Sequence, residues 1–159
     1  MKFSVLISIA VSVIACVTTS ESTRPEDDWT PAQRGNVRVA LIKTLIDAKA
    51  YNSSVPLLRE AILASPDDPR LHVMMGSVLR ERGLLKQAIF SFEKALEIAP
   101  NLADAYAGLA ITLNLKGDHR PALLLHQKAV QMAPVEPRFC ANLGFAYALI
   151  NEHSSAIQA

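Results

Sequence analysis

The sequence predicts an all-α chain: a solenoid of antiparallel helix pairs behind a short apolar leader. Three observations carry this expectation. The segments "EAILASP", "KALEIAP" and "KAVQMAP" end at Pro66, Pro100 and Pro134, each 34 residues after the last. The same step relates Gly83 to Gly117, Ala61 to Ala95 and Ala129, and Ala88 to Ala122 and Ala156. Between these marks the apolar residues recur at helical rather than alternating spacing. A fixed period of this size belongs to stacked helix pairs, because one pair cannot bury its apolar face alone and needs the next.

Ahead of the repeats, Lys2 is followed by thirteen apolar or small residues, Phe3 to Ala15, broken only by serines at 4, 8 and 12. A basic start and a short apolar run make an export signal. The run is shorter than the roughly 20 residues a membrane-spanning helix needs. Val13-Ile14-Ala15-Cys16 resembles the bacterial lipobox. That resemblance implies a signal peptide over 1–15, with lipidation at Cys16, which becomes the new N-terminus. Several acyl chains give stable anchoring where one gives only marginal binding. Val17 and Thr18 lack the aspartate that retains such proteins at the inner membrane in some bacteria, so the resemblance implies the outer membrane, facing the periplasm. Two other readings stay open: a cleaved signal followed by an incidental cysteine, and an uncleaved hydrophobic start on a cytoplasmic protein.

With Cys16 acylated, 144 residues and one thiol, Cys140, remain. No disulfide then forms within the chain, and the repeat position of Cys140 predicts that it is buried. Without acylation, a bridge between Cys16 and Cys140 is formally open, although it would tie a signal remnant to the fourth helical unit.

Residues 17–29, "VTTSESTRPEDDW", are rich in Ser, Thr and acids and show no apolar period. They read as a flexible tether reaching about 40 Å when extended. Trp29 is expected to cover the first helix. That helix starts at Thr30, a capping residue. Pro31 is tolerated at the first helical position, and Gln33 stands where it can close a capping box.

The domain organisation expected is a signal peptide at 1–15, a lipidated cysteine and tether at 16–34, and a repeat domain at 35–159. Its units run 35–68, 69–102, 103–136 and 137–159, the last incomplete. In the second unit Leu71, Met75, Val78 and Leu79 mark one helix, beginning after the cap Asp68 with Pro69 at its first position. Gly83 supplies the tight turn, as Gly117 does one period later. Ala88, Ile89, Phe92, Ala95, Leu96 and Ile98 mark the second helix, up to Pro100. Alanine recurs where neighbouring helices approach closely, so Ala95→Leu is expected to cost about 1–3 kcal/mol through overpacking.

These residues resemble the tetratricopeptide repeat family. The motif is carried in the second unit by His72, Met75, Gly76, Leu79, Ala88, Phe92, Ala95 and Pro100. In the third it is carried by Tyr106, Leu109, Ala110, Leu113, Ala122, His126, Ala129 and Pro134. The fourth has Cys140, Leu143, Gly144, Tyr147 and Ala156. The first is weaker, with Arg38, Leu41, Ile42, Leu45, Ser54, Leu58, Ala61 and Pro66. Departures include His72, Cys140 and Arg38 where a large aromatic is common, His126 at a large second-helix position, and Ser54 at a helix crossing. The resemblance implies a right-handed superhelix. Four units counted from Gly35 would end at residue 170, and "NEHSSAIQA" only begins a second helix. The expectation is therefore a partial sequence, or else an apolar edge covered by a partner or second copy.

No Gly-rich phosphate loop, nucleophile elbow or metal-binding helix motif appears, so neither enzyme activity nor a cofactor is expected. His72 and His126 occupy packing positions, and His119 and His153 complete no ligand spacing. Glu93 and Glu97 read as a solvated face with Lys94. Nucleic acid is disfavoured as a partner: 16 basic residues face 15 acidic ones, and loss of Lys2 with the leader leaves the two signs equal. A phosphate backbone would require a basic stripe.

The family resemblance implies a groove that binds a protein or peptide client. Carried over by repeat position, its lining is Arg70, Val73, Ser77 and Arg80 in the second unit. The third supplies Asp104, Ala107, Ile111 and Asn114, and the fourth Arg138, Ala141, Phe145 and Ala148. The arginines could pair with acidic or C-terminal groups of a client, or simply solvate the inner face. Asn142 resembles one element of the carboxylate clamp of chaperone-binding relatives, but its companion residues are missing.

Lipobox, tether and repeats together resemble the lipoproteins of tight-adherence (Flp) pilus assembly. Such a likeness implies binding to a secretin or other pilus assembly components, with the membrane held through the lipid anchor. Three alternatives share these parts: a pilotin of a type IV pilus system, an adaptor for cell-wall enzymes, and the repeat region of a longer enzyme.

Overall fold

The computed structural model describes residues 30–158, so the expected signal peptide, Cys16, the tether and Trp29 lie outside the described residues. By its internal contacts the chain divides into Met1–Asn36 and Val37–Ala159. In the first part, the described residues begin the helix α1 (Pro31–Asp47) with the expected capping box. The Gln33 backbone N–H donates to Thr30 Oγ1 at 3.2 Å, and the Thr30 N–H donates to Gln33 Oε1 at 2.8 Å. Two orphan donors are thereby satisfied reciprocally.

Six helices follow: α2 (Tyr51–Ala64), α3 (Pro69–Glu81), α4 (Leu85–Ile98), α5 (Ala103–Lys116), α6 (His119–Met132) and α7 (Pro137–Gln158). No strand occurs among the described residues. Each helix from α2 onward packs on its successor, and α5 also touches both α3 and α7. The first helices of successive units therefore line one side of the stack.

The unit boundaries have local causes. Asp68 caps α3 by accepting the Arg70 backbone N–H at 3.0 Å, with Pro69 just inside the helix. Helices α2, α4 and α6 each stop two residues before their proline, at Ala64, Ile98 and Met132. Gly83 and Gly117 turn the chain with φ of 74° and 93°. Lys49, one period before Gly83, takes the same left-handed region at φ 57°. Such a conformation is easy for glycine and costly for a residue bearing a Cβ.

Crossings between helices are closed by small residues. Ala88, Ala95, Ala122 and Ala129 are fully buried. Ser54 stands at the equivalent crossing and is equally buried, and its hydroxyl donates to the Tyr51 carbonyl at 3.0 Å. A serine can replace alanine here because its own helix satisfies the hydroxyl. Leu58, Phe92 and His126 share one place in successive units, and all three side chains are buried. Ile42, Val55, Leu58, Leu71, Val78 and Phe92 belong to one continuous core, and Phe139 packs with Ala107 and Ala129 in another.

Two expectations fail in the fourth unit. Cys140 is exposed, not buried. The segment around "NEHSSAIQ" does not begin a second helix, because α7 runs unbroken through Gln158. Asn151 replaces the glycine of the earlier turns, and the helical hydrogen bonding carries on past it. In the units before it, the second helix folds back over the first; α7 instead continues, so no hairpin partner covers Cys140. Its thiol lies 3.9 Å from the Pro134 carbonyl, as His72 Nε2 lies 3.1 Å from the Pro66 carbonyl two units earlier.

Candidate functional site

The twelve sequence-derived groove residues fall on α3, α5 and α7 or at their first turns. Arg70 is exposed and clasps Asp68 through two bonds, Nε to Oδ1 at 3.0 Å and Nη2 to Oδ2 at 2.8 Å. The side-chain bond to Arg70 holds the Asp68 carboxyl below the usual carboxylate range and raises the guanidinium in turn. Arg80 pairs with Glu81 at 3.0 Å. Arg138 reaches Asp104 at 2.6 Å, joining α7 to α5, and Glu136 at 3.3 Å, with its guanidinium 4.3 Å over the Phe139 ring. Bonding to Asp104 raises the Arg138 pKa. Val73, Ser77, Ile111 and Asn114 are half-buried, and Ala107 is buried. Ala141, Phe145 and Ala148 are exposed on α7.

Three of these residues, Ile111, Asn114 and Phe145, meet in a pocket of about 400 Å³ between α5, α6 and α7. Leu115, His119, His126, Asn142 and Leu149 complete its lining. The repeat rule did not select these five, because it names first-helix positions two, five, nine and twelve only. One signal was available: His126 puts an imidazole where the preceding units have Leu58 and Phe92.

Around that imidazole runs a polar chain. His119 Nδ1 donates to Asn114 Oδ1 at 3.3 Å, and Asn114 Nδ2 donates to His126 Nε2 at 3.3 Å. With Nε2 accepting, the His126 ring carries its proton on Nδ1, which is buried without a hydrogen-bond partner. Burial pushes the His126 pKa down, so the ring stays neutral. No charged side chain lines the pocket.

Among the described residues no group of three or more His, Cys, Asp or Glu side chains is placed to hold a metal ion. No described helix is long and apolar enough to cross a membrane. Glu93 and Glu97 are exposed, and Lys94 pairs with Glu97 at 2.5 Å, the solvated face the sequence suggested.

Residues 67–134 match the family model for the tetratricopeptide repeat. Over 88 residues, or 53% of this chain, the sequence is 28% identical to human "Protein O-mannosyl-transferase TMTC1", of which that stretch is 10%. The fold is similar to the tetratricopeptide repeat domain of Sgt2 from Aspergillus fumigatus. The TM-score is 0.72 and the identity 16%, covering 79% of this chain and 83% of that one. It is also similar to YrrB, a tetratricopeptide repeat protein with an unusual peptide-binding site. There the TM-score is 0.62 and the identity 23%, covering 67% of this chain and 55% of that one. At these identities the structural likeness is one of fold.

Proposed function

Residues 67–134 match the tetratricopeptide repeat model, and from that match we propose that this chain is a tetratricopeptide repeat protein acting as a non-enzymatic protein–protein interaction scaffold. The observation that carries the reading is the two consecutive helix pairs, α3/α4 and α5/α6, with a pocket between α5, α6 and the following helix α7. A peptide-binding site in YrrB, a protein of the same fold, supports a peptide or protein client. The finer reading adds a lipid on Cys16, attachment to a bacterial outer membrane facing the periplasm, and a client among secretin or pilus assembly components. It rests on the leader sequence and on the resemblance to TadD of the tight-adherence (Flp) system.

Intact mass and membrane fractionation of the full-length product and of Cys16→Ser, expressed in a Gram-negative host, test the anchor. Loss of residues 1–15, a mass gain matching lipid on Cys16, and release of the variant from the membrane are the expected results. A soluble product with unmodified Cys16 would sink the lipoprotein reading and leave the repeat fold untouched. Cross-linking in the native envelope then identifies the client.

One observation favours a second reading, the repeat region of a longer enzyme: the matched stretch is a tenth of a protein named as a transferase. A longer reading frame carrying a catalytic motif would decide for it.

A further inference from the structure

The groove is less basic than its sequence suggests. Each of its three arginines already faces a carboxylate of its own chain: Arg70 on Asp68, Arg80 on Glu81, and Arg138 on Asp104 and Glu136. An acidic group on a client would have to displace a partner of the same chemistry. Exposed ion pairs are worth little in water, so the exchange gains next to nothing.

The pocket has a different character. Ile111, Leu115, Phe145 and Leu149 give it apolar walls, and Asn114, His119, His126 and Asn142 contribute amides and imidazoles, with no Asp, Glu, Lys or Arg among the lining. Phe145 and Leu115 are 63% and 61% exposed, so the apolar surface is open to a ligand. A charged group entering here would lose its hydration and meet no opposite charge, which costs far more than an apolar group would. His126 is poorly placed to compensate as an imidazolium: its Nε2 already faces an amide donor, and no acceptor adjoins Nδ1. The volume of about 400 Å³ suits one large side chain with its peptide groups. A second copy of the chain would instead require a broad apolar face.

Building on the scaffold reading, we infer that this pocket between α5, α6 and α7 is the specificity pocket for the client: it takes one bulky, uncharged apolar side chain of a peptide segment, with the Asn142 carboxamide serving the adjoining peptide groups. Client choice is then set by an apolar anchor and not by an acidic or C-terminal carboxylate.

The test uses three blocked amino acids on the full chain: N-acetyl-phenylalaninamide, N-acetyl-leucinamide and N-acetyl-aspartate. Their binding is read from the NMR signals of the Asn142 and Asn114 side-chain amides and the His126 ring. The two apolar probes should shift these signals saturably in the millimolar range, and the aspartate should leave them unmoved. Leu149→Phe, which fills the pocket, should weaken the apolar probes at least fivefold while its thermal melt shows a folded chain. Equal response to aspartate, or no response to either apolar probe, overturns the inference without need of any variant. So does concentration-dependent dimerisation in sedimentation that buries Phe145, since the pocket would then belong to a second copy. Client cross-linking that Leu149→Phe leaves undiminished would remove the pocket from recognition while the scaffold reading stands. Apolar probes that bind as expected, in a chain that cross-links to no client, would support the pocket's chemistry and sink the scaffold reading instead.

Discussion

The second and third units are built on one plan and differ at its centre. In the second, the Phe92 ring is wedged between two glycines. A Cβ on Gly76 would lie 2.9 Å from three of its ring atoms, and one on Gly108 would lie closer still. One period later the three places hold Ala110, Asn142 and His126. The smaller, polar ring is flanked by larger neighbours, and a pocket lies beside it. The alanine crossings are the same in both units, all fully buried. Helix placement thus depends on the crossings, while the central ring position is open to exchange between packing and recognition.

The largest effect expected from breaking this contrast is on the packed side. Phe92→Ala should cost about 3–5 kcal/mol in denaturant unfolding, since it empties the contact between three helices. Gly108→Ala attacks the same contact from the other side. Its methyl would crowd the buried Phe92 ring, at a cost of about 1–3 kcal/mol. A Gly108→Ala protein as stable as wild type would mean that Phe92 is not seated as described.

On the polar side the readout is pH. Burial holds the folded pKa of His126 below its ordinary 6.5. Above that value both folded and unfolded chains carry a neutral ring, and stability is full. Below it the unfolded chain takes up the proton first, so stability falls as pH drops toward the folded value. His126→Leu installs the side chain that Leu58 provides at the same place in the first unit. The difference between wild type and variant should therefore shift in the variant's favour between pH 7 and pH 5. A difference independent of pH would show that His126 is not held neutral by burial.

Features settled within a few residues were legible in the sequence: the Thr30/Gln33 box, the Asp68 cap, the glycine turns and the alanine crossings. Each depends on backbone geometry that neighbouring residues dictate. The pocket was legible only in part: the repeat rule gave Ile111, Asn114 and Phe145, but that they meet His126 and four other residues between 115 and 149 is set by the packing of three helices. The pairing of Arg138 with Asp104 was hidden for the same reason: a full period separates the two charges, and each looked free when read alone. Cys140 shows the repeat pattern misleading the reader. Its burial was inferred from its repeat position, and α7 does not fold back into the helix pair that position presupposes.

The smallest effect expected concerns the turns, and it runs toward greater stability. Lys49 holds the left-handed conformation at the place where the next two units have Gly83 and Gly117. A residue with a Cβ is about 1–2 kcal/mol disfavoured there. Glycine removes that strain but restores freedom to the unfolded chain, which takes back about 0.4–1 kcal/mol. Lys49→Gly should therefore raise stability by about 0.5 kcal/mol, and Gly83→Ala should lower it by about 1 kcal/mol, both read as shifts of the denaturant midpoint. The pair is informative because the space is open at Gly83: a Cβ there would meet nothing within 4 Å. Any loss in Gly83→Ala is then backbone strain, less the freedom removed from the unfolded chain, with no steric clash in it. If Lys49→Gly instead destabilises the chain, the lysine side chain contributes something at the first turn that outweighs its strain, and the 34-residue equivalence of the three turns would not extend to their energetics.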